Sequence, residues 1–221
     1  MTIKQLSKYK WEKLGVESLR NGLNLHLDSI LLFCNNSFST AFHISVLALE
    51  EIAKSNWITH YHYTSITNEG FPETEFEQKW LKLLYSHTAK QKVYVNRDSF
   101  DVSPKFLEFV NNGKLETKKQ DSVYVGLKRS RKTIDTSGRI SLPTKIKEKD
   151  AREIISLNNK VLTDQCRRNI DNGFYYGFYE NFEILNKDTL EFLNDSWDYK
   201  SGIKTKKWET LRRKNWKNNI Y

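Results

Sequence analysis

Ser39-Thr-Ala-Phe-His-Ile-Ser-Val-Leu-Ala-Leu-Glu-Glu-Ile-Ala-Lys-Ser-Asn-Trp57 contains neither Gly nor Pro and is apolar almost all round, through Ala41, Phe42, Ile44, Val46, Leu47, Ala48, Leu49, Ile52 and Ala53. A helix with hydrocarbon on nearly every side belongs in the interior of a helical bundle. At about 100° per residue, His43, Glu50, Glu51 and Lys54 gather within roughly a quarter of the circumference, with Leu47 among them. Taken alone, that polar side reads as an ordinary i,i+4 ion pair between Glu50 and Lys54 on a solvated stripe.

A second segment changes the reading. From Glu75 to Gln91, the residues Phe76, Trp80, Leu83 and Leu84 follow the helical i, i+4, i+7, i+8 rule, and the next position on that stripe is His87. One helix is expected over this span, opened by a capping box of Thr74 and Glu77 and pointing His87 inward with Lys90 on its flank. An inward histidine is commonly a satisfied core residue. Here a Glu-Glu-Lys face stands ready on a neighbouring helix, and together the two can build a buried charged site.

Working outward, a first helix is expected from Trp11 to Phe33 on the stripe Leu19, Leu23, Ile30, and Asn35-Asn36-Ser37 reads as the turn before the central helix. A short helix is expected around Phe106 to Val110, and another from Lys149 to Thr163 on Ile154, Ile155 and Val161. Asp121 to Pro143 is the least helical stretch; Ser122-Val-Tyr-Val125 has strand propensity, so the region reads as an exposed basic loop or a small β excursion. The aromatic run Gly173 to Phe182 reads as a packing or dimer surface, or as a platform for stacking bases. The fold class is therefore all-α. The expected division is a helical domain over 1–182 with a basic insertion at about 114–149, then a C-terminal extension over 183–221 ending in a basic tail.

Three prolines and nine glycines in 221 residues favour long helices. The two cysteines, Cys34 and Cys166, have no metal-ligand spacing and read as reduced thiols; with no signal peptide or membrane-length apolar run, a cytoplasmic location is expected. The net charge of +9 is unevenly spread: the stretches 114–149 and 200–221 together carry +14, and the rest of the chain −5. Such concentration suits a polyanionic partner, with Lys128, Arg129, Arg131 and Lys132 in the loop and Arg212, Arg213 and Lys214 in the tail as candidate RNA-binding residues. Solubilising lysines give the same composition. No phosphate-binding loop, dinucleotide fingerprint, zinc spacing or serine nucleophile elbow is present. No cofactor and no metal are expected, because the lysines beside Glu50 and Glu51 compete with a cation.

Asn21, Asp28, Ala41, the run Ala48-Leu-Glu-Glu-Ile-Ala-Lys54, His87-x-x-Lys90, Val123-Tyr-Val125, Pro143 and the helix containing Ala151 make the chain, from about Gly15 to about Leu162, resemble the AbiV-type abortive infection proteins of bacteria. Ile52-Ala53 departs from that pattern, where a Leu or Ile followed by Gly is expected. The family resembles a branch of the HEPN superfamily: small all-α dimers that often act as metal-independent ribonucleases in phage defence. The resemblance implies a HEPN-like bundle, a homodimer, and as partners RNA or the ribosome together with a phage-encoded activator. It implies His87, Lys90, Glu50, Glu51 and Lys54 as catalytic residues, with His87 as base or acid, the lysines stabilising a pentavalent phosphorane, and the carboxylates orienting them. Products would be a 2′,3′-cyclic phosphate and a 5′-hydroxyl.

HEPN nucleases resemble one another in a motif of Arg, four to six intervening residues, then His. The chain holds one literal match, Arg20-Asn21-Gly-Leu-Asn-Leu-His26, on the first helix, where His26 falls on the apolar stripe. A degenerate version, Lys82 to His87, ends on the inward histidine. The resemblance implies one of two functions: an endoribonuclease activated on infection and acting on RNA of the translation apparatus, or a non-catalytic dimeric module that binds a phage protein, the ribosome or RNA.

Overall fold

A three-residue turn folds one long helix back along another. In the computed structural model, which describes residues 5–68, 70–97, 103–127, 133–172 and 178–197, α1 spans Lys8–Cys34 and α2 spans Phe38–Thr67. Asn36 takes the left-handed conformation (φ 61°) in the turn between them, a conformation Asn tolerates better than most residues. Ser7 caps α1 by accepting from the Lys10 amide. Gly22 lets the two helices approach: a Cβ there would stand 2.7 Å from Ile52 Cγ1 and 3.1 Å from the Ile52 nitrogen.

The third long helix, α7 (Glu148–Asn172), lies against both. Asn158 donates from Nδ2 to the Ser45 carbonyl on α2 at 2.7 Å, and Asn159 meets His26 of α1 at 3.0 Å. Between these helices sits the main core, with Leu19, Phe42, Val46, Leu49, Ile52, Ile154 and Ile155 among its buried residues. A second apolar cluster of Trp11, Val16, Ile58, Tyr61, Leu84 and Phe178 closes the other end of the α1–α2 pair. Among the described residues there are nine α-helices and no β-strand, as an all-α chain requires.

The expected single helix from Glu75 to Gln91 is two: α3 (Thr74–Leu84) and α4 (His87–Arg97). Ser86 makes the break, since its carbonyl accepts from the Lys90 amide at 3.1 Å and its hydroxyl from the Ala89 amide at 3.4 Å, which starts a new helix. The buried face of α3 is also rotated from the expected one. Phe76 and Leu83 are exposed, whereas Glu77 is fully buried and accepts from the Leu6 amide (2.6 Å), Trp11 Nε1 (3.4 Å) and Tyr61 Oη (3.3 Å). With its carboxylate committed to these three donors, Glu77 does not close a capping box with Thr74; Glu73 stands at the N-cap without a side-chain bond. Burial, with Glu77 adding to it, pushes the Tyr61 hydroxyl up to about 12.

Two short helices follow, α5 (Pro104–Asn111) and α6 (Lys114–Asp121). The latter lies inside the stretch read as a basic insertion, and it buries Leu115 and Lys119. After α6 comes one antiparallel bridge, Gly126 with Ser141, so among the described residues the β excursion amounts to a single pair. The candidate RNA-binding residues Lys128, Arg129, Arg131 and Lys132, like Arg212, Arg213 and Lys214 of the tail, lie outside the described residues. After α7, α8 (Tyr179–Ile184) and α9 (Lys187–Ser196) bring Leu185, Leu193 and Trp197 into the main core. No helix among the described residues is long and apolar enough to cross a membrane.

Candidate functional site

Glu50, midway along α2 and only 2% exposed, is met by donors from two other helices. From α4, His87 Nδ1 lies 2.5 Å from Oε2, Gln91 Nε2 donates to Oε1 at 2.8 Å, and Lys90 Nζ stands 3.7 Å from Oε2. From α6, Lys119 donates to Oε1 at 2.8 Å. The spacing of α4 explains the convergence: positions 87, 90 and 91 fall on one face of the helix, and the break at Ser86 turns that face onto α2.

Lys119 is itself 2% exposed and bridges a second carboxylate, Glu116 Oε2, at 2.7 Å. Gln91 reaches the same oxygen at 2.7 Å. Although burial pushes the Glu116 carboxyl up, hydrogen bonds from Lys119, Gln120 and Gln91 and the Lys119 charge outweigh this and hold it below the ordinary value. The backbone of Lys119 is fixed too, its carbonyl accepting from Ser122 Oγ at 2.5 Å and from His43 Nδ1 at 3.1 Å. Two carboxylates and two ammoniums thus balance formally within one cluster.

His87 is the member that opens to solvent, with 55% of its side chain exposed. Its Nδ1 faces the Glu50 carboxylate, so the network assigns the proton to Nδ1; in the neutral ring Nε2 then carries the lone pair. Lys119 Nζ, 3.4 Å from Nδ1, acts on the ring as a neighbouring charge. The inward orientation expected for His87 is thus met by one edge of the ring only. The resulting arrangement can move a proton at Nε2 while Glu50 holds the ring.

The other expected residues stand apart from this cluster. Lys54 pairs with Glu51 at 2.7 Å, on a partly exposed stretch of α2, in place of the expected Glu50–Lys54 pair, because Glu50 is taken by α4 and α6. The literal Arg-to-His match does not assemble. Arg20 is exposed and paired with Glu17 at 2.6 Å, Asn21 is exposed, and His26 is fully buried against Asn159. Burial lowers the His26 pKa to about 4 against the hydrogen bond that His26 Nε2 donates to Asn159 Oδ1, so His26 is a neutral core residue near pH 7.

Lys119, Gln91 and Glu116 are the participants that sequence reasoning missed. Leu115 and Lys119 share a face four residues apart, but a lysine beside Lys118 in a basic stretch reads as solvated charge. Glu50, His87 and Glu116 also offer three ligand atoms within 4.8 Å of one another, a spacing that suits a metal ion. The Lys119 ammonium, 2.8 and 2.7 Å from the two carboxylates, stands where such a cation would sit.

The HEPN_AbiV family model, described as AbiV, matches residues 11–163. Among curated proteins and among solved structures, nothing matches this chain. The matched span contains most of α1, all of α2 to α6, most of α7 and every member of the Glu50 cluster, and the chain belongs to the AbiV family of HEPN proteins, bacterial abortive-infection proteins of antiviral defence.

Proposed function

We propose that this protein is a metal-independent endoribonuclease of phage defence, activated on infection and acting on RNA of the translation apparatus, with His87 as its proton-transfer group. One observation carries the reading: an exposed imidazole whose inner nitrogen is held 2.5 Å from a buried carboxylate. A structural histidine gains nothing from exposure of its second nitrogen, whereas a general base needs it. In the reaction Nε2 of His87 takes the ribose 2′-OH proton, the 2′-oxygen attacks the adjacent phosphorus, and the 5′-oxygen leaves with a proton. The leaving group's acid and further cations come from a second copy in a homodimer. Lys90 and Lys119 act by holding Glu50, since both are buried.

A second reading has its own support. Because Lys119 is already paired with both carboxylates, the cluster also works as a latch joining α2, α4 and α6 in a non-catalytic interaction module. Total RNA and ribosomes incubated with wild-type protein and with His87→Ala, with and without phage-infected lysate, separate the two. Fragments ending in 2′,3′-cyclic phosphate from wild type alone, at equal oligomeric state by light scattering, are the expected result. Intact RNA throughout, with phage protection kept by His87→Ala, refutes the nuclease.

A further inference from the structure

Beside α6, between α2, α5, α6 and α7, lies a cavity of about 680 Å³ that includes no member of the Glu50 cluster in its lining. That size falls within the range of small-molecule sites. Its apolar lining includes Phe42, Phe106, Phe109, Leu115 and Ile154. The Phe106 and Phe109 rings are near-parallel, 25° apart with centroids 6.4 Å apart, and the half-buried Phe109 offers ring surface on which a flat aromatic group can pack.

The charged lining is unequal. Five Lys and Arg residues face the cavity against Glu108, Asp150 and Glu153. Asp150 is neutralised by Lys118 at 2.8 Å, and the Lys118 ammonium also lies over the Phe42 and Phe109 rings at 5.5 and 5.7 Å. Burial lifts the Glu153 carboxyl above its ordinary value, which disfavours negative charge there. Lys105, Lys114 and Lys149 are exposed at the rim and make no ion pair with any described residue. A ligand suited to this lining presents a planar ring to the phenylalanines and an anionic group to the rim lysines.

We propose that this cavity is a binding site for a small planar aromatic anion, a ring bearing a phosphate or a carboxylate. Lys114 and Lys118 line the cavity, while Lys119 of the same eight-residue helix, itself paired with Glu116, holds Glu50. An occupant therefore restrains the helix that positions the His87 cluster. Binding itself does not depend on the nuclease reading.

Calorimetric titration of the full-length protein with adenosine 5′-monophosphate and, separately, with indole-3-carboxylate tests the site and identifies the anionic group. Saturable binding of at least one probe is expected. Lys114→Glu and Lys149→Glu, at exposed positions that leave the core intact, should each weaken it by about tenfold. His87→Ala should bind as wild type does, so failure of the nuclease leaves this result unaffected. Inorganic phosphate binding as tightly as the nucleotide would overturn the aromatic half of the proposal. Absence of saturation by either probe at millimolar concentration, or affinity unchanged from wild type in both charge-reversal variants, would overturn the whole.

Discussion

Lys119 Nζ lies 2.8 Å from Glu50 Oε1 with both side chains 2% exposed, making this the most deeply buried ion pair among the described residues. Two ions removed from water are tolerable only when each finds further partners. Glu50 has Gln91 and His87, and Lys119 has Glu116. The pair therefore commits three helices to one arrangement.

Lys119→Met leaves Glu50 and Glu116 facing each other without their shared cation, and urea denaturation should show a loss of about 3–5 kcal/mol. Adding Glu50→Gln removes one of the two stranded charges, so the double variant should be more stable than Lys119→Met alone. A loss below about 1 kcal/mol for the single variant would show that the cluster does not hold α6 in place.

Gln91→Leu and His87→Ala each remove a donor to Glu50, yet they should differ. Gln91 is 1% exposed, and its loss takes a donor from the Glu50 carboxylate, itself only 2% exposed; the expected cost is about 1–3 kcal/mol. At His87, more than half exposed, water takes the place of the imidazole. The expected order in denaturant midpoint is wild type, His87→Ala, then Gln91→Leu, while loss of RNA cleavage should follow His87→Ala. The reverse order of stability would place the opening of the cluster elsewhere.

His26 makes stability depend on pH. Its folded pKa of about 4 lies below the ordinary 6.5, so between those values the unfolded chain binds the proton that the folded chain refuses. The contribution is complete above pH 6.5 and is lost as pH falls through 4, by about 3 kcal/mol in total. Urea unfolding across this window should show the slope in wild type and a flatter one in His26→Gln, which keeps a donor for Asn159 but does not titrate. Identical slopes would mean that His26 is not the group responsible.

Where the sequence was legible, one rule was at work: α1, α2 and the first turns of α7 follow helical spacing of apolar residues with no competing interaction. The rule failed where a polar residue found partners distant in the chain. Glu77, rather than Phe76, faces inward because Leu6, Trp11 and Tyr61 supply donors 71, 66 and 16 residues away. Lys119 is buried for the same reason, its carboxylate Glu50 lying 69 residues earlier. Glu50 was readable because its helix is otherwise largely apolar, so its polarity stood out; His87 and Lys90 were placed from a stripe that the break at Ser86 interrupts. Glu51 and Lys54 share the helix of Glu50 but pair with each other, and only the packing of α4 and α6 separates them from the cluster.

The α1–α2 contact offers a test of how the cluster is supported from behind. An alanine at Gly22 gains about 1 kcal/mol of helix propensity, but its Cβ meets Ile52 Cγ1 at 2.7 Å, the Ile52 nitrogen at 3.1 Å and the Ala48 carbonyl at 3.4 Å. The side chain can rotate away; the backbone atoms can only be relieved by moving α2. A net loss of about 1–2 kcal/mol is expected for Gly22→Ala, against a change within about 0.5 kcal/mol for Gly126→Ala, where the new methyl meets nothing within 4 Å. Because Ile52 sits two residues from Glu50, displacement of α2 also loosens the grip of Lys119 on its carboxylate. Hydrogen exchange of the α6 amides should therefore quicken in Gly22→Ala and stay unchanged in Gly126→Ala.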